Sequence, residues 1–272
     1  MVRPLPAALR VLASLVLLAG CGATRPDPDI PDRADRLAPI PVIDPAFGDG
    51  DPHDWPGRTP DSYPVHGIDI SRWNLDVNWK AARAAGVSFA FIKATEGGDR
   101  TDPLFATHVA QAEAAGIPWG AYHFFYWCTD AQTQARWFIA NVPRRPGALP
   151  PVLDLEWNPH SPTCTARPDP ARVRSEVATF LDIVGRHYGR RPIVYVTVDF
   201  FEDTRLQDIT TEEFWLRSTA AHPGDRYPGT PWVFWQYSGT GRVPGIGGNV
   251  NLNAFRGSPA AWGDWLARRA QP

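Results

Sequence analysis

The sequence predicts a single α/β domain built as a closed barrel of mostly parallel strands wrapped by helices. Eight short apolar runs after residue 65 read as strands, several of them apolar at nearly every position, as strands buried on both faces are. Helix signals with distinct starts separate the earlier runs, and this alternation favours a closed, TIM-like barrel over an open sheet. The last connections are short and carry little helix, so the barrel is expected to depart from eightfold regularity. No internal repeat at a fixed period is visible.

Taken in chain order, Arg3 and Arg10 flank the opening and Val11 to Ala19 form an uncharged apolar run. That run is too short to span a bilayer as a mature helix and reads as a secretory signal over residues 1–20. It ends in Leu18-Ala19-Gly20-Cys21, which looks like a bacterial lipobox, so Cys21 is the expected lipidated residue of an exported, membrane-anchored protein in the cell envelope. Residues 21–64 read as a linker, because ten prolines lie between Thr24 and Pro64 among many Asp. Such a stretch buries too little apolar surface to offset its ordering entropy and stays extended.

The domain follows over residues 65–272. Its expected strands are His66–Ser71, Phe89–Thr95, Pro118–Phe125, Pro151–Trp157, Pro192–Val198, Phe214–Ser218, Trp232–Tyr237 and Asn249–Leu252. Asp102-Pro103 and Asp169-Pro170 each place a capping carboxylate before a proline suited to the first helical turn. Thr129 with Gln132 resembles a capping box. The helix after Asp169 presents Val173, Val177, Phe180, Leu181 and Val184 on one face and stops at Gly189.

A hydrophobic content of 43% with twelve Trp supplies ample core, and a net charge of −2 offers no reason to propose a nucleic-acid partner. Setting Cys21 aside for lipid leaves Cys128 and Cys164, expected to form one disulfide in an oxidising compartment, the alternative being two separately buried thiols. Neither cysteine has neighbours at metal-ligand spacing, so no metal is expected. Monomer is the default oligomeric state.

Acidic residues recur at the C-terminal strand ends, where barrels build their sites: Asp69 on the first, Glu96 after the second, Asp154 and Glu156 on the fourth. A spacing of two on a strand turns Asp154 and Glu156 to one face. Two carboxyls that close cannot both ionise freely, and the one that keeps its proton can protonate a leaving glycosidic oxygen. Tyr122, Trp157, Tyr195, Trp215, Trp235 and Tyr237 lie within or at the ends of strands, where rings could stack on sugars or equally serve the core. His123, beside Tyr122 on a buried strand, reads as structural. No nucleophile elbow, P-loop or dinucleotide fingerprint is present.

Together, Gly67-Ile68-Asp69-Ile70-Ser71, Phe91-Ile92-Lys93-Ala94-Thr95-Glu96-Gly97, Gly120-Ala121-Tyr122-His123-Phe124, Leu153-Asp154-Leu155-Glu156 and Trp235-Gln236-Tyr237-Ser238 resemble the successive motifs of family 25 glycoside hydrolases. The likeness runs from about Val65 to Phe255. It implies an irregular, flattened β/α barrel and a lysozyme acting on the β-1,4 bond between N-acetylmuramic acid and N-acetylglucosamine, without metal or organic cofactor. Its partners would be peptidoglycan glycan strands, with the membrane reached only through the lipid. By the same resemblance Glu156 is the general acid, Asp154 orients the substrate acetamido group and Asp69 is a further catalytic carboxylate. Glu96, Tyr122, Trp235, Gln236 and Asn251, which lie in these motifs, would contact substrate, as would the strand-end rings Trp157, Tyr195 and Trp215 if they face the cleft. One departure stands out: the family usually carries Val-Asp-x-Asn-x-Phe, whereas here Asn251 takes the Asp position in Val250-Asn251-Leu252-Asn253-Ala254-Phe255. An amide keeps the shape but cannot act as a base. That change favours the competing reading of a non-catalytic wall-binding lipoprotein, which the intact Asp154/Glu156 pair opposes. A third reading keeps the enzyme but moves it to another N-acetylated glycan.

Overall fold

The computed structural model describes Met1, residues 41–209 and residues 213–272. The expected signal peptide and Cys21 lie outside the described residues. The strands are β1 (Gly48–Asp49), β2 (His66–Ile70), β3 (Val87–Glu96), β4 (Arg100–Thr101), β5 (Trp119–Phe124), β6 (Val152–Leu155), β7 (Ile193–Val196), β8 (Phe214–Arg217), β9 (Phe234–Arg242) and β10 (Val250–Phe255). The helices are α1 (Trp79–Ala84), α2 (Phe105–Ala114), α3 (Ala131–Asn141), α4 (Pro170–Tyr188), α5 (Val198–Thr204), α6 (Pro223–Arg226) and α7 (Pro259–Arg269).

Eight of the strands close a barrel in the order β2-β3-β5-β6-β7-β8-β9-β10. Neighbours from β2 to β9 are parallel, while β10 runs antiparallel to both β9 and β2 and shuts the ring. The reason lies in the connections. Residues 243–249 are too few for a crossover, so β10 must return antiparallel. Between β8 and β9 the helix α6 has only four residues, which accounts for the irregular late half of the barrel.

Alternation along each strand sorts the core into two shells. Outward residues such as Ile68, Ala90, Ile92, Leu153, Val194 and Leu216 pack under the helices, with Val173, Val177, Phe180, Leu181 and Val184 of α4 as the broadest covering stripe. Inward residues Phe89, Phe91, Val152, Ile193, Tyr195, Trp215, Phe234 and Phe255 fill the barrel, and Trp262 and Trp265 of α7 join them. Phe91 meets Trp215 at 4.5 Å between ring centroids inside the barrel. Gly67 and Gly120 make room for this filling, since a Cβ on Gly67 would lie 2.6 Å from the Phe89 ring.

Helix starts follow local hydrogen-bond supply. Asp169 caps α4 by accepting from the Ala171 and Arg172 amides, both at 3.0 Å, and Gly189 ends that helix with φ 66°. The other two expected starts need correction. Asp130, not Thr129, caps α3 by accepting from the Thr133 amide at 2.8 Å. Asp102 sits outside α2 and instead joins two segments, accepting from the amides of Arg72 at 2.7 Å and Leu104 at 2.9 Å. Cys128 and Cys164 form the disulfide, 36 residues apart in sequence.

The linker boundary expected at Pro64 also moves. Residues 41–64 lie on the barrel: β1 pairs antiparallel with Gly241 and Arg242 of β9, and the Ala46 amide donates to the Ala85 carbonyl at 2.8 Å. Trp55 packs edge-on against Trp235 at 5.1 Å, and the Tyr63 hydroxyl meets His222 Nε2 at 2.8 Å. Gly86, at φ 106°, makes the crossing possible, because a Cβ there would come within 2.6 Å of the Pro45 backbone.

Candidate active site

The inward positions change chemistry along the barrel. Toward the N-terminal ends of the parallel strands they are aromatic; at their C-terminal ends they are Asp69, Lys93, Tyr122, Asp154, Arg217 and Gln236, joined by Asn251 and Asn253 from the start of the antiparallel β10, with Glu156 just past the end of β6. Strand parity puts these groups at one mouth, because each lies two or four residues beyond an inward core residue or directly opposite one in register.

Asp69 is the most tightly held. Its Oδ2 accepts from Gln236 Nε2 at 2.8 Å and Asn253 Nδ2 at 2.9 Å, and its Oδ1 accepts from Asn251 Nδ2 at 2.9 Å. Burial pushes this carboxyl above its ordinary value against the pull of those three amide donors. The amides are aimed in turn. The Tyr195 hydroxyl donates to Gln236 Oε1 at 2.9 Å, and the Trp215 indole N–H donates to Asn253 Oδ1 at 2.8 Å. Gln236 and Asn253 therefore have their oxygens occupied and their NH2 groups directed at Asp69.

Asp154 and Glu156 share a second environment. Burial and the neighbouring Glu156 carboxyl push Asp154 well above the usual carboxylate range. Burial lifts Glu156 to about 7, with Arg217 and Lys93 pulling it down and Asp199 and Asp69 pushing it up. The pair thus keeps a proton in the neutral range, where an isolated carboxyl has lost it. Oδ1 of Asp154 is buried and has no hydrogen-bond partner among the described residues.

Glu96 is different. Burial alone would raise it, but Lys93 Nζ donates to its Oε2 at 2.6 Å and Arg100 lies 3.7 Å from Oε1, so its carboxyl is held below the ordinary value. Lys93 also lies over the Phe124 ring at 4.8 Å. This ion pair fixes a cation beside the acids.

Three expected sugar-stacking rings are corrected by their surroundings. Trp235 points outward, is fully buried, and donates its indole N–H to the Ser218 carbonyl at 2.7 Å. Trp157 packs on Phe200 at 4.5 Å under the Arg167 guanidinium and donates to Asp203 at 2.8 Å. Trp215 lies inside the barrel beneath the acids, against Phe91 and Tyr195. Rings enclosed on both faces offer no stacking surface. Tyr122 and Tyr195 face the acids, and burial together with that negative charge keeps both phenols neutral. His123 is structural as expected: it is buried between Thr95 Oγ1 at 2.7 Å and Gln134 Oε1 at 3.0 Å.

Sequence reasoning passed over Asn253, Lys93 and Arg217. Each had a signal in strand parity: Asn253 shares a face with Asn251, Lys93 with Phe91, and Arg217 with Trp215.

A barrel that gathers a proton-retaining carboxyl pair and a third, amide-held carboxylate at its C-terminal mouth has the equipment of a glycoside hydrolase. The comparisons specify which. The profile of "Glycosyl hydrolases family 25" matches residues 68–246, and the chain belongs to that family. It is 36% identical to Lysozyme M1 of Streptomyces globisporus over 212 residues, covering 74% of this chain and 70% of that one. It is equally similar, at 36% over 209 residues, to the uncharacterized protein YegX of Escherichia coli K12, covering 74% and 73%. Among solved structures, the Bacillus anthracis family 25 glycosyl hydrolase superposes with a TM-score of 0.69 at 31% identity, over 75% of this chain and 94% of the other. The Streptomyces coelicolor lysozyme gives 0.67 at 33% identity, over 76% and 98%. The chain is a glycoside hydrolase.

Proposed function

We propose that the chain is a muramidase, hydrolysing the β-1,4 bond between N-acetylmuramic acid and N-acetylglucosamine in peptidoglycan with retention at the anomeric carbon. The observation that carries this is the Asp154/Glu156 pair, with Glu156 titrating near 7 at the barrel mouth. Glu156 donates its proton to the glycosidic oxygen as the bond to the leaving sugar breaks. The substrate's own acetamido oxygen attacks the anomeric carbon, and the Asp154 carboxylate accepts the acetamido N–H and holds it for that attack. Glu156, now ionised, takes a proton from the water that opens the cyclic intermediate. Asp69, fixed by its three amides, supplies negative charge where positive charge develops.

The test is digestion of purified peptidoglycan by the wild type beside Glu156→Gln, with products read by mass spectrometry for new muramic-acid reducing ends. Release by the wild type alone is expected. No release from either protein, with both still bound to the sacculus, would move the chain to the wall-binding reading that Asn251 favours. Release of new ends from chitin oligosaccharides instead would point to another N-acetylated glycan. We further propose that Cys21 carries a lipid holding the enzyme at the envelope. Cys21→Ser should then shift the protein from the membrane fraction to the soluble fraction.

A further inference from the structure

The segment 41–64 does more than cover the barrel. It precedes the family-matched residues 68–246, yet it forms one wall of a cavity of about 300 Å³ beside the acids. From the segment come Asp49, Asp51, His53 and Trp55; from the barrel come Arg217 at the end of β8 and Tyr237 on β9. The cavity adjoins the catalytic mouth through Arg217, whose charge acts on both Glu156 and Asp69. Its guanidinium makes no ion pair with any described residue. A half-buried cation at the edge of an acidic site, without a carboxylate of its own, is placed to receive one from a ligand.

The wall contributed by the segment has the opposite sign. Asp49 accepts from Thr240 Oγ1 at 2.5 Å and from the Asp51 amide at 3.0 Å. Burial opposes ionisation of Asp49, but these bonds and one from Ser238 outweigh it and hold the carboxyl below its ordinary value. Asp51 is exposed beside it, and its carboxylate makes no hydrogen bond with any described residue. A neutral sugar would leave both charges unused, and a simple anion would meet the two Asp. A ligand with a carboxylate and an ammonium group satisfies both walls. On the peptidoglycan reading, on which this inference rests, the substituent with that chemistry is the short peptide carried by the muramic acid.

We propose that this cavity is a subsite for the peptide substituent of the glycan, with Arg217 binding a peptide carboxylate and Asp49 and Asp51 a peptide ammonium group. The segment 41–64 thereby makes the enzyme selective for peptide-bearing strands. The volume suits a few amino-acid residues, at the lower end of ligand pockets.

The test compares kcat/KM at pH 5, where Glu156 is protonated, on three substrates: intact peptide-bearing strands, the same strands with peptide amines acetylated, and strands stripped of peptide by an amidase. The wild type should favour intact over stripped strands by about tenfold, the worth of one good charge-assisted contact. Arg217→Gln should erase most of that preference, chiefly through KM. Asp51→Asn should lose sensitivity to acetylation. Equal wild-type rates on intact and stripped strands would overturn the proposal while leaving the muramidase reading intact. Arg217→Gln slowing both substrates in the same proportion would also overturn it. Should no strand be cut, the muramidase reading fails, and calorimetry on the Glu156→Gln protein decides the subsite alone. About tenfold tighter binding of a muramyl-peptide disaccharide than of its peptide-free form supports it, and equal binding refutes it.

Discussion

Replacing Glu156 with glutamine should cut turnover steeply and, in alkaline solution, stabilise the fold. In the folded chain burial lifts this carboxyl from its ordinary 4.5 to about 7. A raised carboxyl is one the fold prefers protonated. Below about pH 4.5 both folded and unfolded chains carry the proton, and the residue costs nothing. Between 4.5 and 7 the unfolded chain gives up the proton while the folded chain keeps it, so stability falls as pH rises, and above 7 the penalty is constant. At about 1.4 kcal/mol per pKa unit that gap is worth about 3 kcal/mol. For a domain of this size, this corresponds to a melting-temperature difference of about 6–12 °C. Glutamine keeps the shape and can donate to Asp154, so the penalty disappears while the packing stays. Calorimetric melting of wild type and Glu156→Gln should therefore give nearly equal midpoints at pH 4 and a clearly higher midpoint for the variant at pH 8. Turnover should fall by about 10²–10⁴. An offset independent of pH, or a variant less stable at pH 8, would refute the claim that burial of an ionisable acid dominates this site.

On the proposed role of Glu156 as general acid, kcat/KM should decline as pH rises through about 7, where its proton is lost. Arg217→Gln should move that alkaline limb upward, because the guanidinium favours the ionised form. Tyr195→Phe removes the donor that aims Gln236 at Asp69 and leaves a buried acceptor unpaired; chemical melting should show a loss of about 1–3 kcal/mol. Replacing Cys128 and Cys164 together by Ser releases a loop of 36 residues, which costs up to about 4 kcal/mol by loop entropy, read as a lower denaturation midpoint.

Much of this architecture was legible in the amino-acid order because strand periodicity and burial are local signals. All eight expected strands exist, with ends displaced by a few residues, and the carboxylates fall where strand ends place them. Less was legible where a decision depends on which face a residue takes. Trp235 and Gln236 are neighbours in sequence, yet one lies in the outer core and the other holds Asp69. Counting inward from Phe234 separates them; proximity to a strand end does not. The segment 41–64 was hidden for another reason. Its anchors Phe47, Trp55 and Tyr63 are widely spaced, and its backbone bonds reach partners such as Ala85 and Thr240, far away in sequence. Proline and aspartate dominate its composition, and composition says nothing about such partners.

Asn251 shows which effect wins at this site. A carboxylate in its place would face Asp69 directly across β10 and β2, both within reach of one proton. In the observed arrangement the amide donates instead, leaving Asp69 with three donors and no carboxylate opposite it on β10. One source of the repulsion that would raise Glu156 is thereby missing, yet Glu156 still titrates near 7, because burial is the leading cause of its displacement. The acid therefore does not depend on a carboxylate at position 251. Asn251→Asp tests this reasoning. It exchanges a donor for an acceptor beside a buried carboxylate, so the fold should lose about 1–3 kcal/mol at pH 8 and less at pH 4, where a shared proton restores the bond. The alkaline limb of kcat/KM should stay near 7. A limb that moves up by a full unit, or a variant more stable than the wild type at pH 8, would mean that charge from β10, and not burial, sets the acid.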